Sequence, residues 1–224
     1  MASPRPSKEK RPAQDRPQPR LYLVTPPSAD VASLKFDLMA ALDCADVAAV
    51  LLRLPQDDDR ALINRIKAIA PTVQNFGAAL LVDGHPGLIA RGGADGAHLS
   101  GIAAFEEFVG SLKPDRIAGI GALETRHDAM LAAERGADYV MFGEPDENNE
   151  RPSLDAVIDR VSWWAEVFQT PCVAYAASLD DVATLVAAGA DFVAVGDLVF
   201  ADPRGVAQAT KDIALHLKLP EPAA

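Results

Sequence analysis

Gly189-Ala190-Asp191-Phe192-Val193-Ala194-Val195 places three turn-forming residues before four apolar ones with no polar position between them. The same tripeptide recurs at Gly93-Ala94-Asp95 and Gly136-Ala137-Asp138, each time between an amphipathic segment and a short apolar run. Glycine suits the left-handed position that ends a helix, where a side chain costs more. Aspartate bonds nearby backbone amides in the tight turn that follows. A continuous apolar run is what a parallel strand buried on both faces requires. Each copy therefore reads as the end of a helix, a turn and a parallel strand.

Outward from these copies the same unit fills the chain. Strands are expected at Leu21–Val24, Val47–Leu52, Ala78–Val82, Gly96–Leu99, Ile117–Ile120, Tyr139–Phe142, Cys172–Tyr175 and Phe192–Val195. Helices are expected at about 28–42, 57–70, 87–92, 102–112, 125–135, 153–167, 179–188 and 203–217. Strands alternating with helices imply right-handed crossovers and a parallel sheet. Eight such units predict an α/β fold, a single (β/α)8 TIM barrel, with a doubly wound open sheet as the rival. Ser28, Thr125, Ser178 and Asp202 stand where helix caps are needed, the last directly before Pro203. The barrel is expected to span 20–218, between a disordered basic Pro-rich arm at 1–19 and a flexible tail at 219–224. In such a barrel the Gly-Ala-Asp turns sit at the N-terminal face of the strands, which carries stability, so their aspartates receive no catalytic role.

Composition narrows the function classes. The chain has 224 residues, near the roughly 250 typical of this barrel. Hydrophobic residues make up 49%, which argues against disorder for most of it. The net charge is -11. Residues 1–20 hold Arg5, Lys8, Lys10, Arg11, Arg16 and Arg20 against Glu9 and Asp15, a surplus of four positive charges that leaves -15 for the rest. A body that acidic opposes binding to nucleic acid, whose affinity rests on neutralising phosphates. No apolar run approaches the roughly 20 residues needed to cross a bilayer, and the polar N-terminus lacks the apolar segment of a secretory signal. Two cysteines, Cys44 and Cys172, in apolar stretches point to a reducing cytoplasm rather than a disulfide framework.

Candidates for chemistry are the residues just after each strand: Thr25, Arg53, Asp83, His85, Ser100, Gly121, Gly143, Glu144, Asp146, Ala176, Ala177, Gly196 and Asp197. Asp83 is the best candidate for a base or a Mg2+ ligand, since one or two carboxylates and substrate phosphates suffice for that ion. Its plain alternative is a loop aspartate capping the turn before Gly84. Arg53 could clamp a phosphate or carboxylate bidentately, or it could form a structural ion pair with Asp83. His98, inside an apolar strand, is either an acid/base group or a hydrogen-bonded core residue. His and Cys spacing of the zinc type is absent, as are the nucleophile elbow, the P-loop and the dinucleotide-binding glycine motif. Of Trp163 and Trp164, one is expected to pack on the barrel and the other to meet a partner chain, the basis for a possible homodimer.

Leu21-Tyr22-Leu23-Val24-Thr25-Pro26, Gly93-Ala94-Asp95-Gly96-Ala97-His98-Leu99, Gly136-Ala137-Asp138-Tyr139-Val140 with Gly143, and Pro171-Cys172-Val173-Ala174 followed by the Gly189 stretch resemble the thiamine phosphate synthases and the related thiazole tautomerases. The likeness runs from about 20 to 210. It implies an Mg2+-dependent transferase of thiamine biosynthesis that joins hydroxymethylpyrimidine diphosphate to thiazole phosphate and releases pyrophosphate. It also implies Arg53 and Asp83 as catalytic residues, Asp83 as metal ligand, and Thr25, His98, Gly143, Ala176, Ala177 and Asp197 around the small-molecule heterocycle.

The mouth departs from that pattern. Val82 replaces an Asn before Asp83, and Leu51 and Pro55 replace a Gln and a Lys around Arg53. Ser100-Gly101-Ile102-Ala103 offers no second metal-binding aspartate, and Gly121 replaces a Ser. A Thr-x-Thr-Lys loop reads Asn148-Asn149-Glu150-Arg151, a phosphate-cradling Gly-Gly pair reads Ala176-Ala177, and a Ser reads Asp197. No histidine near Leu123-Glu124 serves the tautomerase chemistry. Glu144, Asp146, Glu147 and Asp197 are expected to crowd one rim, where like charges about 4 Å apart repel by about 4 kcal/mol at an effective dielectric near 20. These departures imply a diverged member. The competing readings are a non-catalytic binding or assembly barrel and an enzyme acting on a different, non-phosphorylated heterocycle.

Overall fold

The computed structural model describes residues 17–28, 30–146 and 148–218. The expected arms at 1–19 and 219–224 lie outside the described residues apart from 17–19, which form no regular element.

Eight strands close in chain order into a parallel barrel, β1 Arg20–Val24, β2 Val47–Leu52, β3 Ala79–Asp83, β4 Gly96–Ser100, β5 Ile117–Gly121, β6 Tyr139–Phe142, β7 Cys172–Tyr175 and β8 Phe192–Val195. The pairing of β1 with β8 excludes the open sheet. The helices are α1 Val31–Leu42, α2 Asp59–Gln74, α3 Ile89–Gly92, α4 Gly101–Leu112, α5 Arg126–Glu134, α6 Leu154–Val167, α7 Leu179–Ala188, α8 Asp197–Phe200 and α9 Val206–His216.

Strand alternation sorts the apolar residues into two cores. Leu21, Leu23, Val50, Leu52, Leu80 and Val82 face the helices. Tyr22, Val24, Ala49, Leu51, Leu81, Tyr139, Met141, Val173 and Tyr175 fill the barrel. Three tyrosines inside a small barrel need space and partners. Gly119 supplies space, because a Cβ there would collide with the Tyr139 ring. Tyr22 and Tyr139 share a hydrogen bond of 2.8 Å between their hydroxyls.

The Gly-Ala-Asp turns close the N-terminal end. Gly93, Gly136 and Gly189 have φ of 80°, 94° and 103°. Each aspartate exchanges two bonds with one residue of the preceding strand. The carboxylates of Asp95, Asp138 and Asp191 accept from the amides of Leu80, Ala118 and Cys172 at 2.7, 2.8 and 2.8 Å. Their own amides return to the same residues' carbonyls at 2.8, 2.9 and 3.1 Å. Asp46 holds the matching place before β2, but its carboxylate takes the Arg20 guanidinium instead, at 2.7 and 2.9 Å.

Some boundaries differ from expectation. Asp30, not Ser28, caps α1, accepting from the amides of Ala32 and Ser33, while the Ser28 hydroxyl accepts from the Asp30 amide. Thr125 and Ser178 cap α5 and α7 in full capping boxes with Asp128 and Asp181. Asp202 caps nothing. Its carboxylate is taken by the amide and guanidinium of Arg204, and α9 begins only after Gly205. The expected eighth helix thus splits, with α8 directly after β8. α2 runs past Pro71 to Gln74 because Ile66, Ile69, Ala70 and Val73 are buried along one side.

Candidate active site

The C-terminal ends of β1, β2, β6, β7 and β8 surround a cavity of about 280 Å3. Thr25, Arg53, Ala176, Ala177 and Asp197, all expected at the site, line it. Thr25 is buried, and its hydroxyl accepts from the Arg53 amide at 3.1 Å, tying the ends of β1 and β2 together. Asp83 adjoins the cavity through Arg53, whose Nε lies 3.3 Å from its carboxylate. The two alternatives for that arginine are therefore not exclusive. The ion pair exists, and Arg53 still lines the cavity.

Arg151 is the residue that the sequence reading passed over. It follows β6 by nine positions in an acidic loop, and its signal was the cation itself, ending the stretch where the resembled family carries a lysine. The tertiary fold brings its guanidinium over the Tyr175 ring, 4.9 Å from the centroid. Its Nε donates to the Gly143 carbonyl at 2.9 Å and one terminal nitrogen to the Tyr175 carbonyl at 3.0 Å. A guanidinium has five donors in a fixed fork. These two bonds orient it and leave donors for the cavity it lines. Gly143 thus enters the site through its carbonyl.

The acidic rim expected from the sequence is dispersed. Asp146 turns back to accept from the amides of Asn148 and Glu150, both at 2.8 Å. Glu144 reaches across to the Ala122 amide. Glu147 lies outside the described residues. Asp197 is the carboxylate that lines the cavity among the described residues. Among the described acids, Glu144 and Asp146 are taken up as acceptors of backbone amides and do not line the cavity with Asp197.

Beneath the mouth runs a buried polar chain. His98 is 4% exposed, and its Nδ1 lies 2.9 Å from the Tyr139 hydroxyl. It belongs to the core and does not line the cavity. Burial lowers its pKa, so the ring is neutral near pH 7 and carries one proton. The Tyr22 hydroxyl, the Tyr139 hydroxyl and His98 Nδ1 form one continuous hydrogen-bonded chain. Nε2 approaches the space above Gly121, where a Cβ would lie 2.7 Å from it and would collide with the Glu144 carboxylate. Gly121 therefore makes room for Glu144, whose pKa burial raises. Ala122, directly after, has φ of 50°, a left-handed conformation held by that carboxylate on its amide.

No group of three or more His, Cys, Asp or Glu side chains gathers to hold a metal among the described residues. Asp83 sets a carboxylate against Arg53, and Asp197 sets another on the cavity wall. That donor set suits Mg2+ completed by substrate oxygens and water, and does not suit an ion that needs an all-protein cage. No described helix is long and apolar enough to cross a membrane. Trp164 is fully buried, while Trp163 is half-buried against Phe168 and under the Arg126 guanidinium, so neither presents a free aromatic face.

A family model for thiamine monophosphate synthase matches residues 21–199. A thiamine-phosphate synthase of Rhodospirillum centenum is 39% identical over 86% of this chain and 95% of its own length. One of Hyphomonas neptunium is 36% identical over 89% and 94%. Among solved structures, a thiamine phosphate pyrophosphorylase from Pyrococcus furiosus aligns with a TM-score of 0.72 at 20% identity, covering 89% of this chain and 96% of that one. An orotidine 5'-phosphate decarboxylase from Pyrococcus horikoshii aligns at 0.64 and 14% identity over 88% and 99%. At such identity these likenesses speak for the barrel.

Proposed function

The chain belongs to the thiamine monophosphate synthase family, and on that footing we propose that it is a transferase which joins a pyrimidine diphosphate to a thiazole phosphate and releases pyrophosphate. The observation that carries this reading is the pair of guanidiniums, Arg53 and Arg151, on the wall of one cavity at the strands' C-terminal ends. A leaving pyrophosphate gathers negative charge as the carbon–oxygen bond breaks, and fixed cations at that place lower the barrier. Arg151 is fixed by two carbonyls and a ring, and Arg53 by its pairing with Asp83. The nucleophile is a ring nitrogen that carries no proton, so no general base is required. That accords with a cavity that His98 does not reach.

Asp83 is the residue that would hold Mg2+, which when bound offsets charge on the diphosphate. Thr25, Ala176 and Ala177 shape the wall against the heterocycle, and Gly143 acts through Arg151. The cytoplasm is the expected compartment, supported by two free cysteines. A homodimer is supported by the exposed Phe36 and Met39 of α1 and Leu215 of the neighbouring α9, rather than by the tryptophans.

Purified full-length protein supplied with pyrimidine diphosphate, a thiazole acceptor and Mg2+ is expected to release pyrophosphate, and Asp83→Ala to abolish that release. Absence of any turnover would sink the enzymatic reading in favour of a binding or assembly barrel.

A further inference from the structure

Arg151 can stabilise a leaving pyrophosphate only if its guanidinium is aimed, and one of the two carbonyls that aim it is that of Gly143. The peptide carrying this carbonyl is tightly placed. Gly143 has φ of 89°, and a Cβ there would lie 2.9 Å from the Val157 side chain and 3.5 Å from the Tyr175 carbonyl. Pro145, two positions on, lines the cavity. Glu144, between them, does not line it. Its side chain crosses instead to the end of β5, where the carboxylate accepts from the Ala122 amide, 22 positions away in sequence.

The far end of that bond is a prepared seat. A Cβ on Gly121 would collide with the carboxylate, so the bare backbone of β5 is what admits it. Ala122 adopts its left-handed φ of 50° with its amide on the same carboxylate. The loop beyond is held as well, because Arg160 of α6 donates to the carbonyls of Leu123 and Glu124 at 2.6 and 2.7 Å. Glu144 is therefore fastened to backbone that is itself fixed. A carboxylate on an amide also makes a stronger bond than a neutral acceptor does.

We infer that Glu144 is a positioning residue for the reaction: by anchoring its own peptide to the end of β5 it sets the Gly143 carbonyl, and through that carbonyl the aim of the Arg151 guanidinium. This rests on the transferase reading above and adds a residue to it. Without the anchor, Arg151 keeps the Tyr175 carbonyl and the Tyr175 ring, so it stays at the cavity but is poorly aimed. Misplacement by about 1 Å can cost about a hundredfold in rate, and with part of the hold retained about tenfold is expected. Burial disfavours the charge on Glu144, so a neutral amide oxygen in the same place loses little.

The test is a double-mutant cycle in the full-length protein with two readouts. One is the Kd of inorganic pyrophosphate with Mg2+, by titration calorimetry. The other is kcat for pyrophosphate release from the pyrimidine diphosphate and thiazole phosphate. Glu144→Ala is expected to weaken pyrophosphate binding and to lower kcat, each about tenfold, with KM for the thiazole phosphate unchanged. Ala122 is exposed, so its freed amide can turn to water and the variant is expected to fold. Glu144→Gln keeps an acceptor and is expected to stay within about threefold of the unaltered protein in both readouts. In the Arg151→Ala background, Glu144→Ala is expected to change neither readout further, because the residue through which it acts is gone. A tenfold loss that persists in that background overturns the inference. So does a Glu144→Ala protein that matches the unaltered one, or a Glu144→Gln protein as impaired as Glu144→Ala. Absence of turnover with the pyrophosphate cycle as expected overturns the transferase reading and leaves the positioning role standing.

Discussion

The two ends of this barrel use aspartate in opposite ways. At the N-terminal end, Asp95, Asp138 and Asp191 repeat one arrangement, each exchanging two bonds with a residue of the preceding strand. Every group finds its partner locally, so the geometry repeats. At the C-terminal end the aspartates differ from loop to loop, apart from the capping boxes that Asp128 and Asp181 share. Asp83 faces Arg53, Asp146 folds its own turn, Asp181 caps α7 and Asp197 stands exposed on the cavity wall. The left-handed non-glycine residues, Ala122 and Asn149, both lie in loops at this end among the described residues. Strain of that kind persists where the surroundings over-determine the backbone, which is the usual state of a binding face. Regularity at one end supplies the stability that irregularity at the other draws on.

Substitutions can separate the two ends. The largest effect is expected from Arg151→Ala, which should lower kcat/KM for pyrophosphate release by about a hundredfold or more, as for loss of a donor aimed at developing charge. Thermal melting should barely shift, and a large fall in Tm would make Arg151 a structural strut instead. Next is Asp138→Ala at the opposite end. It leaves the buried Ala118 amide without its carboxylate, and should cost about 1–3 kcal/mol in urea unfolding with kcat unchanged. A loss of kcat in the folded variant would erase the division between the ends. Smallest is Ala122→Gly, which relieves a left-handed alanine. The relief is worth about 1 kcal/mol, offset in part by glycine's chain entropy, so Tm should rise slightly. A fall in Tm would mean that the Glu144 bond to this amide imposes no strain.

Much of the fold was legible because it rests on local patterns. The Gly189 stretch, with its two copies, places a helix end, a turn and a strand within seven residues, and all three occur where they were expected. The caps at Thr125 and Ser178 were readable for the same reason, since each accepts from an amide three residues on. Asp202 misled because the adjacent Arg204 competes for its carboxylate, and no local rule ranks a cap against an ion pair. The site was less legible. Arg53, Asp83 and Asp197 could be named from strand ends, but Arg151 could not, because its place depends on Tyr175 and Gly143. The acidic rim failed likewise, since Glu144 finds an amide 22 positions away.

By itself the sequence determined the repeating unit, the number of strands and their order, and thus which residues stand at each end of the barrel. Those are consequences of apolar periodicity and turn chemistry, which act over a few residues. Only the tertiary structure decided which charges meet: that Arg151 joins Arg53, that Glu144 and Asp146 leave the rim, and that Asp197 lines the cavity with the two arginines. Charge interactions act through space and fall off within a few ångströms, so partners distant in sequence are settled only when the barrel closes and brings the loops of β6, β7, β8, β1 and β2 around one cavity.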